Sequence, residues 1–297
     1  MFSLDKKRWQ WLAILFLAFV WGASFILMKK GLYAFDYMQV GAMRMLFSFL
    51  ILLPISIKNL RFVTKQNIGF IIVSGLLGNF IPAFLFTFAE TEITSSLAGI
   101  LNGLSPFFVL IIGVCFFKNR PTVWQYIGIF VGFLGALWLV SNGDLTALRS
   151  INVYVLLIVL ATLMYGVNSN IIKFKLPDLN GVQITSLVFF FVGPLAIPIL
   201  GFSDLRTPVL SPDFWQSLIA TFTLALFGSV ITLLIYNNLI QRAGPIFASS
   251  STYIVPFFAL LWGLFDGELI ETIHLYSLLI ILVGVYLSSL RRKPKKT

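Results

Sequence analysis

The chain has 297 residues, of which 59% are hydrophobic and only 11% carry a charge. A soluble domain has about 45–50% apolar and about 25% charged residues, so this composition excludes a soluble globular protein. The formal net charge of +10 does not indicate a nucleic-acid partner. The cations stand in short clusters between apolar runs, where they act as topology signals and as contacts for anionic lipid.

Ten apolar runs are each long enough to cross a bilayer, which takes about 20 residues. They cover about 10–30, 38–57, 66–89, 94–117, 121–140, 151–172, 181–201, 214–237, 244–265 and 272–290. The connections between them are short and carry the Gly, Pro and Asn residues that end helices. We therefore expect an all-α polytopic membrane protein with ten transmembrane helices and no soluble domain.

The distribution of Lys and Arg predicts how these spans are oriented. If the N-terminus is cytoplasmic, sixteen of the 21 cations fall on the cytoplasmic side and four in outer loops, while Arg44 lies within the second span. Cations accumulate in cytoplasmic loops, so we expect a multi-pass inner (plasma) membrane protein with both termini cytoplasmic. The basic start could also indicate a cleaved signal peptide, but the apolar run after it exceeds the usual length of about 7–15 residues.

The second half of the chain repeats the first. The segment Gly78–Phe108 matches Gly228–Phe258 at a constant offset of 150 residues. Upstream, Trp21-Gly22 matches Tyr165-Gly166 at an offset of 144. The apolar skeleton and the Pro-Phe-Phe motif are kept between the halves, so two related units of five spans each are predicted.

The charges at the ends of the spans are not kept. The turn Lys118-Asn119-Arg120 of the first half corresponds to Asp266-Gly267-Glu268 of the second. Because five is an odd number, the same turn is cytoplasmic in one half and outer in the other. The sequence therefore predicts two inverted five-helix repeats, 10–140 and 151–290, a plan typical of transporters.

Four short motifs carry a family resemblance. They are Trp21-Gly22-Ala23-Ser24 in the first span, Arg44 in the second, Pro-Phe-Phe beginning at Pro106 and at Pro256, and the acidic turn Asp266-Gly267-Glu268. Over about residues 10–290 the chain resembles the EamA family of the drug/metabolite transporter superfamily. The resemblance implies a central cavity lined by spans one, three, four, six, eight and nine, alternating access, and export of amino acids and related metabolites. Asn119 departs from the family's usual Glu.

Polar groups within hydrocarbon normally face protein or a water-filled cavity, so the predicted substrate site consists of polar and aromatic residues on inward helix faces. The three asparagines are the strongest candidates, because a carboxamide needs several hydrogen-bond partners. Hydroxyl residues could equally serve helix packing, and the aromatic residues could stack on a substrate or pack. The candidates are Trp21, Ser24, Asn79, Phe86, Asn102, Tyr165, Asn168, Thr232, Tyr236, Thr252 and Tyr253.

Other residues suggest hinges and coupling groups. Pro82, Pro106 and Pro256 remove backbone hydrogen bonds within spans and are predicted hinges. Arg44 either pairs with backbone carbonyls or attracts an anionic substrate. Glu90, at the outer end of the third span, is a second candidate for coupling, although an interface position is expected for it. No acid lies mid-span, so facilitated diffusion and proton antiport both stay open.

The competing functions differ in the residues they need. A membrane-embedded enzyme is not favoured, because the chain has no nucleophile–base pair, metal-ligand spacing or phosphate loop, and neither a metal nor a cofactor is predicted. Inverted repeats make a channel or a sensor less favoured than a carrier. The main hypothesis is an alternating-access exporter of amino acids or related small polar metabolites. The alternative is an importer or facilitator of a vitamin or nucleoside-like compound.

The predicted partners are a small-molecule substrate and the lipid bilayer. Cys115 is the only cysteine, so no intramolecular disulfide forms. Gly128, Gly132 and Gly135 form a small-residue face in the fifth span that suits close helix contact. That face could pack against the tenth span or against a second copy in a homodimer, and the sequence favours neither.

Overall fold

The computed structural model describes Leu4 and residues 6–118, 121–140, 152–268 and 271–289. The departure at Asn119, the loop 141–151 and the basic C-terminal segment lie outside these residues. The described residues form helices and turns and no strand. The long helices are α1 (Lys7–Gly31), α2 (Tyr37–Phe62), α3 (Ile68–Ala89), α4 (Ser95–Phe117), α5 (Val123–Val140), α6 (Val153–Lys175), α7 (Gly181–Gly201), α8 (Phe214–Ala243), α9 (Pro245–Phe265) and α10 (Thr272–Ser289).

Eight of these helices, α1–α4 and α6–α9, are long and apolar enough to cross a membrane. Helices α5 and α10 are 18 residues long, but their described apolar stretches, Val123–Gly135 and Leu275–Gly284, are shorter. The described residues therefore support a multi-pass helical membrane protein with eight spans. That α5 and α10 also cross, as the sequence predicts, stays a prediction.

The second helix of each half begins with the same hydrogen-bonded cap. At the start of α2 the Asp36 carboxylate accepts the Gln39 N–H (2.8 Å), and the Gln39 side chain accepts the Asp36 N–H (3.0 Å). Asn180 and Gln183 make the same pair of bonds at the start of α7 (3.0 and 2.9 Å). Reciprocal bonds of this kind satisfy two amides that a helix start leaves unpaired. The two caps are 144 residues apart, as the repeat requires.

The third helix of each half is widened near its middle. The segment Leu76–Phe80 of α3 and the segment Leu224–Ile231 of α8 are π-helical. Pro82 closely follows the first of these segments and cannot donate a backbone hydrogen bond. Its counterpart in α8 is Thr232, yet α8 widens too, so the proline is not the sole cause. Single π turns of this kind are frequent at functional sites.

The fourth helix of each half is interrupted. Helix α4 stops at Asn102 and restarts at Ser105, while α9 is interrupted at Ser250. Pro106 lies in the first turn of the restarted helix. Backbone N–H groups have no partner within the helix at that position, so the proline costs no hydrogen bond. Pro256 instead lies inside the second segment of α9. The interruptions supply places to bend, and the hinge role of the prolines stays a prediction.

The two halves pack through reciprocal contacts of their first helices. A Cβ added at Gly22 in α1 would lie 2.5 Å from the Cβ of Phe258 in α9, and one at Gly166 in α6 would lie 2.7 Å from the Cβ of Phe108 in α4. By the repeat offsets, Gly22 corresponds to Gly166 and Phe108 to Phe258. A contact that recurs with its partners exchanged indicates a twofold relation between the halves.

The small-residue face of α5 packs against α10. A Cβ added at Gly284 would lie 2.5 Å from the carbonyl oxygen of Gly128 and from the backbone nitrogen of Gly132, and one at Gly135 would lie 3.0 Å from Ile281. Small residues permit such close approach of helices. Of the two partners that the sequence left open, α10 occupies this face, and the homodimer stays untested.

The glycine contacts predict a contrast between two substitutions. Gly22→Ala places its methyl group against Phe258 and against the backbone nitrogen of Ala259 at 3.0 Å, so we expect a loss of about 1–3 kcal/mol in the free energy of unfolding. Gly69→Ala is the matched control, because no atom lies within 4 Å of its added Cβ. We expect it to be neutral or stabilising by up to about 1 kcal/mol. Thermal unfolding in detergent measures both, and equal midpoints would contradict the close α1–α9 contact.

Candidate substrate cavity

A cavity lies in the middle of the bundle, where seven helices from both halves meet. Its volume is about 80 Å³, counted as the space open to the centres of water molecules. One water needs roughly 10–15 Å³ on that measure, so several waters or one small polar solute fit. The lining residues are Trp21, Ser24, Phe25, Met28, Arg44, Gly78, Asn79, Phe86, Asn102, Ser105, Tyr165, Asn168, Ser169, Gly228, Leu233, Tyr236 and Thr252.

Nine of the eleven predicted substrate residues line this cavity, and Thr232 and Tyr253 do not. The Thr232 hydroxyl donates to the Gly228 carbonyl within its own helix (2.8 Å), and Leu233 faces the cavity instead. The prediction assumed regular α-helical spacing along α8, but a π turn holds more residues than an α turn and rotates the residues after it. Tyr253 is buried on the side toward α5, its ring 3.6 Å from a Cβ added at Gly132.

Besides Met28, which shares the inward stripe of the first span with Trp21 and Ser24, the cavity contains six residues that the sequence pattern did not identify as candidates. Two of them, Gly78 and Gly228, are repeat equivalents in the π segments, and their matched positions were a usable signal. Ser105 directly precedes the Pro-Phe-Phe motif. Nothing in the sequence pattern distinguished the others. The six are Phe25, Gly78, Ser105, Ser169, Gly228 and Leu233.

The two cavity glycines make room for side chains of the opposite half. A Cβ added at Gly228 would lie 2.6 Å from the Ser24 hydroxyl, and one at Gly78 would overlap the Asn168 carboxamide. Ser24 corresponds to Asn168 and Gly78 to Gly228, so this contact too is reciprocal. Ser74 donates to the Asn168 carboxamide oxygen (2.6 Å). Asn168 is therefore held in place by α3 as well as lining the cavity.

Two aromatic pairs flank the cavity. Trp21 contacts Tyr236 edge-on, with ring centroids 5.1 Å apart, and Phe86 stacks on Tyr165 at 6.0 Å. The repeat equates Trp21 with Tyr165 and Phe86 with Tyr236, so one pair is the counterpart of the other. The polar groups of the two pairs differ. Trp21 has an indole N–H, which donates to the Gly228 carbonyl (3.2 Å), whereas its counterpart Tyr165 has a hydroxyl group. The cavity thus has a symmetric apolar frame with an asymmetric polar lining.

Arg44 is the cation of the cavity. Its Nε donates to the Ser229 hydroxyl (2.8 Å), and the side chain is half-buried. Its repeat equivalent is Val188, so the second half has no matching charge. Within the described residues the ion pairs join other lysines and acids, and no carboxylate pairs with Arg44. A guanidinium at such a site presents a planar fork of donors that suits a carboxylate.

The Glu268 cluster, which consists of Lys29, Ser95, Ser96 and Glu268, joins three helices at one end of the bundle. The Glu268 carboxylate lies 2.9 Å from the Lys29 ammonium. It also accepts the backbone N–H groups of Ser95 and Ser96 (3.1 Å each) and both of their hydroxyls. A carboxylate at a helix start is favourable because amides are unpaired there. One side chain thus joins α1, α4 and the end of α9.

The charge state of the Glu268 cluster follows from these contacts. Burial alone would raise the pKa of Glu268, but hydrogen bonds from Ser96, Lys29 and Ser95 lower it to about 2. The carboxylate is therefore ionised at neutral pH. A second ion pair, Lys30–Asp266 (3.0 Å), lies beside the cluster.

At the opposite end of the bundle, helices α6 and α8 are joined by hydrogen bonds to neutral carbonyl groups. The Gln241 side chain donates to the carbonyls of Ile172 (3.1 Å) and Leu176 (2.8 Å). The Lys173 ammonium donates to the Gln241 backbone carbonyl (2.8 Å). The repeat equates Lys173 with Lys29, so equivalent lysines take part at both ends. Of these two sets of bonds, the one at the Glu268 end uses an ionised carboxylate.

Comparison with known proteins agrees with this architecture. The family described as "EamA-like transporter family" matches residues 8–141 and again 152–290. The chain belongs to that family. It is thus a membrane transporter of the EamA, drug/metabolite type, a family of transporters rather than enzymes.

The similar proteins are also described as transporters or carry no stated activity. The chain is 26% identical over 295 residues to YedA of Escherichia coli K12, called an uncharacterized inner membrane transporter, covering 94% of this chain and 90% of that one. It is 24% identical to protein PagO of Salmonella typhimurium, covering 95% and 93%. A solved crystal structure aligns with a TM-score of 0.71 at 12% identity over 96% of this chain and 97% of that one. That likeness shows the fold alone.

The bonds of the Glu268 cluster predict that it holds its end of this EamA-like transporter closed. Glu268→Gln removes the charge that holds Lys29, so we expect the Glu268 end to separate more often. Tyr33 and Phe265 flank the cluster and are 47% and 80% exposed. Spin labels on cysteines at these two positions, with Cys115→Ser, measure the separation by electron paramagnetic resonance. Glu92→Gln is the control, because Glu92 is exposed. An unchanged distance distribution in Glu268→Gln would contradict the closing role.

The same cluster predicts a response to acid. The pKa of Glu268 is lowered from its ordinary value of 4.5 to about 2, so its stabilising contribution is complete above 4.5 and is lost as the pH falls toward 2. We expect the label distance to be independent of Glu268 protonation near neutral pH and to lengthen in acid. If the label distance already lengthens at neutral pH in a protein that contains Glu268, a titrating group other than Glu268 must be responsible.

Proposed function

We propose that this EamA-like transporter works by alternating access and exports amino acids or related small polar metabolites through the central cavity. In this proposal all ten helices cross the inner membrane and the two repeats are inverted. Both termini are cytoplasmic, and the Glu268 end faces outward. The observation that carries the substrate class is Arg44, a cavity cation with no carboxylate partner among the described residues.

The other cavity residues suit a small zwitterion. The Asn79 carboxamide lines the cavity and makes no hydrogen bond to the described part of the chain, so it can serve a solute. The Ser105 hydroxyl donates to the Asn102 carbonyl (2.8 Å), which leaves the lone pairs of the hydroxyl oxygen able to accept a hydrogen bond. Oxygen atoms on α3 and α4 and a guanidinium on α2 therefore offer opposite polarity within one cavity.

Alternating access is supported by the two different closures and by the places where the helices can bend. In this proposal the Glu268 cluster closes one end and the Gln241 bonds close the other. The cavity opens to a given side when the bonds at that end are broken. The π segments of α3 and α8 and the interruptions of α4 and α9 all lie beside the cavity. Broken helices at mid-membrane substrate sites recur in secondary transporters.

The alternative substrate class is a vitamin or nucleoside-like compound taken up or passed by facilitated diffusion. The near-parallel Phe86–Tyr165 pair favours it, since aromatic faces stack on flat rings. A thermal-shift screen of purified protein against amino acids, purines and vitamins separates the classes. Stabilisation by amino acids supports the proposal, and stabilisation confined to ring compounds supports the alternative. Counterflow of the best ligand in proteoliposomes then tests carrier transport against a channel.

The role of Arg44 predicts which ligands depend on it. For an amino acid that stabilises the protein, we expect Arg44→Gln to weaken binding by roughly 10- to 100-fold, because a hydrogen bond to a charged group is worth about 1.5–3 kcal/mol. Arg44→Lys should lose part of this affinity, since an ammonium lacks the planar fork. Lys58→Gln, exposed near the end of the same helix, is the control.

The matched ligand for this test is the methyl ester of the same amino acid. Wild type should prefer the free acid, and Arg44→Gln should bind acid and ester alike. Calorimetric titration of the purified variants gives both affinities. Equal binding of acid and ester by wild type would show that Arg44 does not hold the carboxylate.

A further inference from the structure

Glu90 is a buried acid that the cavity and the Glu268 cluster do not use. It directly follows α3, where its N–H caps the helix through the Phe86 carbonyl (3.0 Å). The residue is 4% exposed, and both carboxyl oxygens are buried with no hydrogen-bond partner in the described part of the chain. The sequence indicated an interface position for it. Glu92, two residues further on, is the exposed acid of this turn.

Glu90 lies between the cavity and the Glu268 cluster. One turn earlier, Phe86 lines the cavity and stacks on Tyr165 of α6. The charged groups that act on Glu90 are Glu268 after α9, Lys29 of α1 and Arg44 of α2. Burial first, and then the negative charge of Glu268, raise the pKa of Glu90 well above its ordinary value of 4.5, against the two cations.

The neighbouring cations do not neutralise Glu90 in this conformation. Lys29 is already paired with Glu268, and Arg44 donates to Ser229. An ionised carboxylate that is buried without a partner costs several kcal/mol, and such a group takes up a proton instead. Separation of the Glu268 end would free Lys29 and admit water, and both changes favour the carboxylate. Opening and loss of the proton are therefore linked.

We infer that Glu90 is a proton-binding site that holds a proton while the Glu268 end is closed and releases it when that end opens. The carboxyl O–H bond breaks, the proton passes to water, and the carboxylate remains beside the freed Lys29. This inference rests on the proposed alternating access and adds a coupling ion to it. Linkage then shifts the closed-to-open ratio by up to about tenfold per pH unit between the two states' pKa values.

The spin-label pair at Tyr33 and Phe265 tests the inference without a known substrate. In wild type carrying this pair, we expect the open fraction to rise as the pH is raised from about 5 to 9. The Glu90→Gln side chain has the shape of the protonated acid and is neutral at every pH. The Glu268 end of this variant should therefore stay closed across this range. Glu92→Gln should respond as wild type does. A Glu90→Gln protein that titrates like wild type would overturn the inference.

The outcomes separate this inference from the proposed function. If Glu268→Gln or a bound ligand moves the labels but pH does not, the proton site is wrong while alternating access stands. If the labels respond to none of the three, alternating access itself is contradicted, and the inference falls with it.

Thermal unfolding gives a second readout that does not need the labels. Because the folded protein binds a proton at Glu90 that the unfolded chain releases above pH 4.5, stability should fall as the pH rises above that value toward the raised pKa. Glu90→Gln should remove this fall and be the more stable protein at alkaline pH. The same fall in both proteins would overturn the inference. Glu268 does not interfere, since its own contribution changes only below 4.5.

Discussion

Close helix contact at glycine is the constraint on which the rest of this structure depends. In a bilayer, apolar side chains gain little by leaving lipid, so helices associate through tight packing and hydrogen bonds. Gly22 and Gly166 let the first helix of each half approach the opposite half, and Gly78 and Gly228 receive side chains across the same interface. Because each contact recurs with its partners exchanged, the halves meet around a shared centre, and the cavity lies there.

Polar groups then give the symmetric frame its direction. The same lysine position meets an ionised carboxylate at one end, through Lys29 and Glu268, and a backbone carbonyl at the other, through Lys173 and Gln241. An ion pair and a set of bonds to carbonyls respond differently to water and to protonation. In the proposed cycle the two ends would therefore open under different conditions, even though the helices around them are equivalent.

The lining of the cavity shows the same contrast between symmetry and difference. The aromatic pairs are counterparts of each other, whereas Arg44 has only Val188 as its equivalent. A solute that binds there meets repeated apolar walls and a single cation. Under the proposed mechanism, substrate recognition depends on the positions where the halves differ, and the movement between open states depends on the positions where they agree.

The sequence by itself determined the apolar spans, the two related halves and nine of the residues that line the cavity. Span length and repeat offset can be read directly from the residues, and inward faces can be inferred wherever a helix is regular. Tertiary structure decided the rest. A π turn in α8 rotated Thr232 away and brought Leu233 in, and α10 covered the glycines of α5. The burial of Glu90 and the exposure of Glu92 depend on helices that are remote in sequence, and so do the partners of Glu268, which lie more than 170 residues away. Such pairings follow from how the helices pack, which no local pattern encodes.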